Sequence, residues 1–387
     1  MADDWRACKL GEIITLKRGY DLPQQNREPG PFPIVSSSGI TDYHVEAKVK
    51  GPGVVTGRYG TLGEVFYIRD DFWPLNTSLY VQEFKGNDAR FISYFLQQLN
   101  FGTRNAAGAV PGVNRNHLHA MDVRVPPLTV QRRIAGILSA YDDLIENNQR
   151  RIKILEEMAR SLYREWFVHF RFPGHDKMKM VPSALGPIPE GWEVKKLGDV
   201  ADVNRAQVNP RTAPDEVHYI DISSVSPGQI DNLRTYQFAD APGRARRIVQ
   251  HSDILWSCVR PNRRSHALVM KPEPNTIAST GFAVLTATKV PCAFLYQATT
   301  TDDFVTYLAN NATGAAYPAV TAKTFEDATL LVPAEPLLKK FGETTILMAE
   351  QIRVLQSQIQ NLRRTRDLLL PRLLSGQIDL KSMDAVA

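Results

Sequence analysis

The sequence of 387 residues contains only three cysteines, and their positions exclude two common uses of this residue. Cys8, Cys258 and Cys292 are odd in number and share no metal-ligand spacing, so neither a disulfide framework nor a zinc site is expected. This pattern fits a reducing compartment, and we expect a cytoplasmic protein. The start is acidic and lacks the apolar segment of a secretory signal, and no later run approaches the length of a membrane span.

Motifs for nucleotide hydrolysis and methyl transfer are also missing. Without a GxxxxGK[ST] sequence, ATP hydrolysis is not expected in this chain. Asn209-Pro-Arg-Thr is a poor match to the Asn-Pro-Pro-aromatic motif of amino-methyltransferases, and no glycine-rich loop for S-adenosylmethionine precedes it. His117 and His119 have no third metal ligand nearby. We therefore predict a non-catalytic chain with no cofactor of its own.

The composition is that of an ordinary protein with two or more domains, with 43% hydrophobic and 22% charged residues. The formal net charge of +5 favours polyanionic partners only mildly.

The clearest periodicity lies between Thr129 and Phe172. Residues spaced alternately three and four apart form the a/d pattern of a coiled coil with one polar member. They are Leu138, Tyr141, Ile145, Asn148, Ile152, Leu155, Ala159, Leu162 and Trp166. Thr129 suits an N-cap, and Pro173-Gly174 suits a helix stop. A single segment of this kind is more often an amphipathic helix packed on a globular domain.

A second copy of the pattern favours the coiled coil. Tyr141 and Met348 differ by 207 positions, as do Trp166 and Leu373. The second copy consists of Met348, Ile352, Leu355, Ile359, Leu362, Arg366, Leu369 and Leu373. Pro336 falls in its first turn, and Ser375-Gly376 supplies the stop. Because the two copies differ in their polar positions, the pattern predicts that the two unlike helices pair within one chain as an antiparallel coiled-coil spacer.

The remaining sequence is also used twice. Trp5-Arg-Ala-Cys-Lys-Leu-Gly-Glu-Ile13 returns as Trp192-Glu-Val-Lys-Lys-Leu-Gly-Asp-Val200, and short strand-like runs follow each copy. We predict an α+β protein with two pseudo-repeated α/β domains. The predicted limits are 1–127 for the first domain, 128–172 for the first long helix, 173–190 for a Pro- and Gly-rich linker, 191–334 for the second domain, 335–376 for the second helix and 377–387 for a tail.

Several motifs carry a resemblance to the specificity subunits of type I restriction-modification systems. They are Asp142-Asp-Leu-Ile-Glu-Asn-Asn-Gln-Arg-Arg-Ile152, Trp166-Phe-Val-His-Phe-Arg-Phe-Pro-Gly174, Ile188-Pro-Glu-Gly-Trp-Glu-Val194 and Leu368-Leu-Leu-Pro-Arg-Leu-Leu-Ser-Gly376. The resemblance covers nearly the full length. The second helix departs from the family pattern at Arg366 and at Leu337-Leu-Lys-Lys340.

The resemblance implies two target-recognition domains, each reading one half of a split site in double-stranded DNA. The long helices would set the spacing and bind two modification (methyltransferase) subunits, and the presence of two restriction (endonuclease and translocase) subunits stays open. Adenine methylation with S-adenosylmethionine, and cleavage with ATP and Mg, would belong to those partner subunits.

In the first domain the candidate DNA-reading residues centre on Thr56-Gly-Arg-Tyr-Gly-Thr-Leu-Gly63. Glycines on both sides of Arg58 would let a turn approach a groove closely, with the guanidinium available for bidentate contact to guanine. A glycine-rich β-turn with solvated side chains is the competing interpretation. The candidates in this domain are Ser37, Ser38, Lys48, Arg58, Tyr59, Thr61, Asn114 and Arg115.

The second domain has a denser cluster of arginines, which is the electrostatic pattern expected of binding to the phosphate backbone. Trp256–Arg264 occupies the place of the Arg58 loop, which makes Arg260, Asn262 and Arg263 the favoured readers. A solvated charged face is again the alternative. The candidates are Arg244, Arg246, Arg247, Arg260, Asn262, Arg263, Arg264 and Tyr317.

Two other functions compete with sequence-specific recognition. A coiled-coil scaffold of a DNA-processing complex would carry its basic surfaces without reading sequence. A single-chain methyltransferase is disfavoured by the missing motifs. Salt dependence separates DNA binding from a pure scaffold, because phosphate contacts make log affinity fall linearly with log salt.

Overall fold

A computed structural model describes residues 5–99, 112–378 and 380 of the chain. These residues form two compact units with mixed helix and strand content. Unit 1 comprises Met1–Asn147 and Gln358–Ala387, and unit 2 comprises Asn148–Ser357. These limits differ from the predicted domain limits, because each unit includes a part of each of the two long helices.

Unit 1 is built on a four-stranded and a three-stranded sheet. Its strands are β1 (Arg6–Lys9), β2 (Thr15–Arg18), β3 (Phe32–Ser36), β4 (Gly39–His44), β5 (Gly53–Gly57), β6 (Val65–Ile68), β7 (Trp73–Pro74), β8 (Ser78–Glu83) and β9 (Asp122–Val125). The four-stranded sheet has the order β2-β8-β5-β6 and is antiparallel throughout. The three-stranded sheet has the order β4-β3-β7, with β3 and β7 parallel. Strand β1 pairs with β9.

Helices cover this scaffold: α1 (Leu10–Ile13), α2 (Ala89–Gln98), α3 (Arg115–His119) and the first part of α4 (Leu128–Tyr163). Asp88 caps α2 by accepting a hydrogen bond from the amide of Phe91. Residues 100–111 lie outside the described residues. The main core of unit 1 joins the first helical turns of α4 to the last turns of the C-terminal helix, where Leu373 and Leu374 are buried.

Unit 2 repeats the plan with additions. Its strands are β10 (Met180–Val181), β11 (Ile188–Pro189), β12 (Glu193–Lys196), β13 (Ala201–Val203), β14 (Glu216–Ile220), β15 (Val225–Ser226), β16 (Gln229–Ile230), β17 (Arg234–Gln237), β18 (Ala245–Ile248), β19 (Ile254–Ser257), β20 (His266–Leu268), β21 (Thr276–Ser279), β22 (Phe282–Ala287) and β23 (Thr329–Val332). The order β13-β22-β19-β20 reproduces the four-stranded sheet of unit 1. A second sheet has the order β17-β14-β21-β18, with β14 and β21 parallel. The helices are α5 (Cys292–Thr299), α6 (Asp302–Asn310), α7 (Ala322–Glu326) and α8 (Glu335–Leu374), whose last part belongs to unit 1.

The two long helices are present with shifted ends. Helix α4 begins at Leu128, so Thr129 lies in its first turn and is not the cap. Its regular part ends at Tyr163 and passes into a π-helical turn at Arg164–Val168, well before Pro173. The reason is packing, because Trp166 and Phe167 are buried in the core of unit 2 with Phe341 of α8. Pro336 falls in the first turn of α8 as predicted.

The predicted linker between the halves has local structure. Its chain forms a short helical turn at His175–Lys177 and the small hairpin β10–β11. Ile188 of that hairpin is buried in the core of unit 2 beside Trp192. The segment is therefore part of unit 2 and not a free connection.

Every predicted a and d position on the two helices is buried or half-buried. Arg366 is the one charged residue among these positions, and it departs from the family pattern. Its Nη1 donates to Oδ1 of Asp142 on α4 over 2.7 Å, within unit 1. The charge of Arg366 is thus balanced by an acidic partner on the other helix.

Candidate nucleic-acid interface

The loop after β5 in unit 1 is held by backbone hydrogen bonds to two neighbouring segments. The amides of Arg58 and Tyr59 donate to the carbonyl of Thr77 over 2.9 and 3.1 Å. The amide of Val113 donates to the carbonyl of Arg58 over 2.9 Å, and Tyr59 forms a bridge with Gly112. These bonds fix the loop base, so the side chains beyond it are presented from a rigid frame.

Two glycines make this loop possible. A Cβ on Gly57 would lie 1.8 Å from the carbonyl oxygen of Thr61, so the chain closes tightly on itself there. Gly60 has a φ of +81°, in the left-handed region that a side chain rarely adopts. The two glycines thereby allow the chain to turn tightly between Gly57 and Thr61.

Arg58 and Tyr59 form a stacked pair on this frame. The guanidinium carbon of Arg58 lies 4.6 Å from the centre of the Tyr59 ring, and Tyr59 is 40% exposed. Arg58 is half-buried, and within the described residues its guanidinium has no hydrogen-bond or ion-pair partner. Thr61, also predicted, is exposed on the same loop.

Most other candidates of the first domain gather around this loop. The Oγ of Ser37 would lie 3.5 Å from a Cβ on Gly60, and Ser38 is exposed beside it. Asn114 and the exposed Arg115 follow the strand partner of the loop directly. Asn114 has a structural task as well, since its side chain caps α3 by accepting from the amide of Asn116.

Lys48 has a different environment from these residues. Its Nζ lies 4.6 Å from the centre of the Trp73 ring and 3.3 Å from Glu46, and its amide donates to Phe72. None of these partners belongs to the loop of Arg58. The sequence could not separate Lys48 from the other basic residues, because its contacts come from a strand more than twenty positions away.

His119 has a structural role. Its Nε2 accepts from the amide of Leu16 over 2.9 Å. Burial, with Lys85 and Arg115 nearby, lowers the pKa of this imidazole, which fits a neutral acceptor. Among the described residues no cluster of three or more His, Cys, Asp or Glu side chains could hold a metal ion.

Unit 2 contains the same loop junction with different side chains. The amide of Val320 donates to the carbonyl of Cys258 over 3.0 Å, and Val259 forms a bridge with Ala319. In backbone terms Cys258 therefore corresponds to Arg58, and Val259 corresponds to Tyr59. Arg260 corresponds to Gly60 and also has a positive φ, of +50°.

Arg260 makes a stacked pair that resembles the pair in unit 1. Its guanidinium carbon lies 4.6 Å from the centre of the Tyr317 ring, the same distance as for Arg58 and Tyr59. Its Nη2 also donates to the carbonyl of Ala316 over 3.0 Å. Tyr317 is 69% exposed. Arg260, a predicted reader, is thus already occupied by contacts within the chain.

The remaining arginines of the cluster fall into two groups. Arg264 forms an ion pair with Asp302, and Arg244 approaches Asp221 to 3.6 Å. Arg246 lies over the ring of Phe238, and Arg247 is half-buried beside Cys258. Asn262 and Arg263, in contrast, are exposed at the turn Pro261–Arg263, and neither side chain has a partner among the described residues.

Arg247 shows how burial has changed this cluster. Its Nε is buried with no hydrogen-bond partner in the described structure, and burial lowers the pKa of its guanidinium. Burial also raises the pKa of the Cys258 thiol to about 11, although Arg247 nearby works in the opposite direction. Cys258 is therefore a protonated packing residue at neutral pH.

A polar network that no sequence pattern indicated ties the helices of unit 1 together. Asp142 on α4 accepts from Nη2 of Arg90 over 3.0 Å, from the hydroxyl of Tyr94, and from Arg366. Burial and the bond to Asp142 raise the pKa of Tyr94. Asp142 was visible in a family motif, but its partners lie 52 and 224 positions away, and no local pattern points to them.

The loops of both units are held at their base and combine arginine with tyrosine, and such side chains supply donors of the kind with which nucleic-acid-binding proteins contact phosphate oxygens and base edges. None of the helices in the described part of the chain combines the length and apolar character that a membrane span needs.

Comparison with known proteins agrees with this class. Residues 2–157 match the family described as the type I restriction modification DNA specificity domain. The chain is 23% identical to the type I restriction enzyme MjaIX specificity subunit of Methanocaldococcus jannaschii over 301 residues, which are 76% of this chain and 67% of that protein. It is 22% identical to the HindI specificity subunit of Haemophilus influenzae in an alignment of 339 positions that covers 70% of this chain and 72% of that protein.

A solved structure gives the same result for the fold. The S subunit of a type I restriction-modification system from M. genitalium matches with a TM-score of 0.62 at 17% identity, over 95% of this chain and 96% of that chain. The resemblance to type I specificity subunits that the sequence motifs indicated is confirmed.

Proposed function

We propose that this chain is the DNA-specificity subunit of a type I restriction-modification complex, in which each unit reads one half of a bipartite site in duplex DNA. The observation that carries the proposal is the loop junction that occurs in both units. In each, an arginine lies 4.6 Å from a tyrosine ring at a loop held by the same backbone hydrogen bonds. Two such modules on one chain suit a site with two separated halves.

The exposed donors of the two loops are suited to different parts of the DNA. Arg58 makes no hydrogen bond or ion pair within the described residues and lies at the start of a tight turn, which fits bidentate contact to the O6 and N7 atoms of guanine in the major groove. Asn262 and Arg263 are the corresponding free donors in unit 2. Arg115 and Arg244 are exposed and lie outside the two loops, and we assign them to phosphate contacts, which position a module without reading sequence.

We also propose that α4 and α8 form an antiparallel coiled coil that sets the distance between the half-sites. In unit 1, Asp142 of α4 meets Arg366 of α8, and later residues of α8 join earlier residues of α4 in one core. In unit 2, Phe167, just beyond the end of α4, lies 4.9 Å from Phe341 in ring-centre distance. Residue numbers increase from Asp142 to Phe167 along the first partner and decrease from Arg366 to Phe341 along the second, which supports the antiparallel arrangement.

The outer faces of these helices are the proposed binding surfaces for two modification subunits, with restriction subunits as further partners. Leu144 and Leu368 in unit 1 and Ile154, Met158 and Leu347 in unit 2 are exposed apolar side chains on α4 and α8. Methyl transfer from S-adenosylmethionine, and cleavage driven by ATP with Mg, are assigned to the partner subunits.

The experiment is methylation mapping. The chain is expressed with its modification subunit in a host without adenine methylation, and methylated adenines are located by single-molecule sequencing. The proposal predicts one bipartite motif that disappears when this chain is omitted. A scaffold that does not read sequence would give no motif, or a motif that persists without the chain.

A further inference from the structure

The two units reach the same arginine–tyrosine pair from positions that do not correspond. In unit 1 the arginine is the first residue after β5, and its tyrosine is the next residue. In unit 2 the arginine lies two positions further along the loop, at the place of Gly60, and Tyr317 comes from the opposite loop. Since the residues differ and the guanidinium-to-ring distance is 4.6 Å in both, the pair itself is the shared feature.

Arg260 is held in its place at a conformational cost. Its φ of +50° lies in the left-handed region, where a long side chain is uncommon and glycine is the relaxed choice. The corresponding residue in unit 1 is a glycine with a φ of +81°. Other non-glycine residues of the described chain, such as Ser252 and Arg264, also have a positive φ, so the role of Arg260 has to be argued from its contacts.

The contacts made by the amide and the side chain of Arg260 go to one short segment, while its carbonyl accepts from the amide of Arg263 over 2.9 Å. Its amide donates to the carbonyl of Pro318 over 2.7 Å, its Nη2 donates to the carbonyl of Ala316 over 3.0 Å, and its guanidinium covers the ring of Tyr317 between them. A guanidinium stacked on a ring and bonded to a carbonyl cannot also present both donors of its fork in the plane of a guanine edge. Arg260 therefore has little left with which to read a base.

Tyr317 has the opposite character. It is 69% exposed, the largest exposed fraction among the bulky apolar and aromatic side chains of the described residues. One face of its ring is covered by Arg260, and its hydroxyl has no partner within the described residues. A tyrosine fixed in this way offers a donor at a set height above the loop, which suits a phosphate oxygen of the DNA backbone.

We infer that Arg260 is a positioning residue that fixes Tyr317 against the DNA backbone, while base reading in unit 2 is left to Asn262 and Arg263. The inference rests on the proposed function and adds a division of roles within it. Tyr317 contributes affinity that is independent of sequence, and Arg260 contributes through Tyr317.

The test uses the full chain in complex with its modification subunits and a duplex carrying the mapped motif. Binding is measured for Arg260→Gly, Tyr317→Ala and the double variant, on the motif and on duplexes with each base pair of the second half-site changed in turn. Each single variant should weaken binding roughly tenfold, in line with the loss of one well-placed contact. The loss should be the same on every duplex, and the double variant should bind as weakly as either single variant.

Stability measurements separate positioning from a general folding defect. Glycine relieves the left-handed φ, so Arg260→Gly should not lower the midpoint of thermal unfolding, although it weakens DNA binding. Ser252→Gly is the matched control, because Ser252 has a φ of +72° in the same unit and lies outside the candidate interface. It should leave DNA binding unchanged.

Two results would overturn the inference. Loss of discrimination at a single base pair in Arg260→Gly would make Arg260 a base reader, and losses that multiply in the double variant would make the two residues independent. Failure of the proposed function would give a different result, because the complex without any substitution would then bind the motif no better than an unrelated duplex of equal length.

Discussion

Replacement of Asp142 by alanine tests whether the network on α4 holds unit 1 together. The carboxylate accepts hydrogen bonds from Arg90, Tyr94 and Arg366. The exposed fraction of the side chain is 18% for Arg90, 23% for Asp142 and 29% for Arg366. Asp142→Ala would leave the Arg90 guanidinium and the Tyr94 hydroxyl without their shared acceptor, while Arg366 would keep only its bonds to Asp367. Exposed ion pairs contribute about 0–1 kcal/mol and the breaking of a buried pair costs ~3–5 kcal/mol, so a loss of about 2–3 kcal/mol is expected here.

The neighbouring Asp143 provides the control on the same helix. Asp143 bonds to Arg69 with both side chains 57% exposed, and Arg69 keeps a second partner in Glu146. Asp143→Ala should therefore cost less than about 1 kcal/mol. Chemical and thermal unfolding of the full chain measure both variants, and for a unit of this size Asp142→Ala should lower its transition by roughly 4–10 °C. Equal losses for the two variants would refute the argument that burial strengthens the Asp142 network.

Three further predictions follow from the loop, the helices and the core of unit 2. Arg58→Ala should lower discrimination at one base pair of one half-site by about 1–3 kcal/mol and leave the other half-site unchanged in competition binding; uniform weakening on all sequences would mean a phosphate contact. Seven residues inserted beside Asn148, and seven more beside Leu355, keep the a/d phase and add ~10.5 Å, which should lengthen the unread spacer of the methylated motif by about three base pairs at ~3.4 Å each; an active variant with the original spacer would contradict this. Burial, with Arg264 and Arg160 nearby, lowers the pKa of His266 from 6.5 to about 4, so the unfolded chain gains a proton first as the pH falls and unit 2 should lose about 3 kcal/mol between pH 6.5 and pH 4. Urea unfolding across this range should show that loss in the unmodified chain and in a control His251→Asn, but not in His266→Asn.

The long helices could be predicted because their signal is periodic and local. The a/d spacing determines which side of a helix is buried, and every residue from Leu138 to Trp166 that the pattern assigned to the buried side is at least half-buried. The predicted end of α4 was wrong, because Trp166 and Phe167 pack in an aromatic core with Phe341. Sequence spacing does not contain that long-range packing, and the proline expected to stop the helix comes after it.

The two loops could be located from the sequence, but the contacts of their side chains could not, and their role in DNA binding stays a prediction. Glycines around Arg58 and the arginines near residue 260 locate both loops from composition alone. The contacts that hold the Arg260 guanidinium depend on a positive φ and on a segment 56 positions later in the chain. A local stretch of sequence does not show either of them. The backbone match of Arg58 with Cys258 was also hidden, because loops of different length shift the residue offset between the two copies along the chain.

The discontinuous chain of unit 1 has a consequence for synthesis on the ribosome. Its core includes Leu373 and Leu374 from the end of α8, whereas unit 2 is one uninterrupted segment. The unit that is translated first is therefore the one that cannot finish folding until the final helix has left the ribosome exit tunnel. A premature stop after residue 357 would release a protein with all of unit 2 but with an open apolar surface on unit 1, which makes truncated products targets for chaperones and proteases.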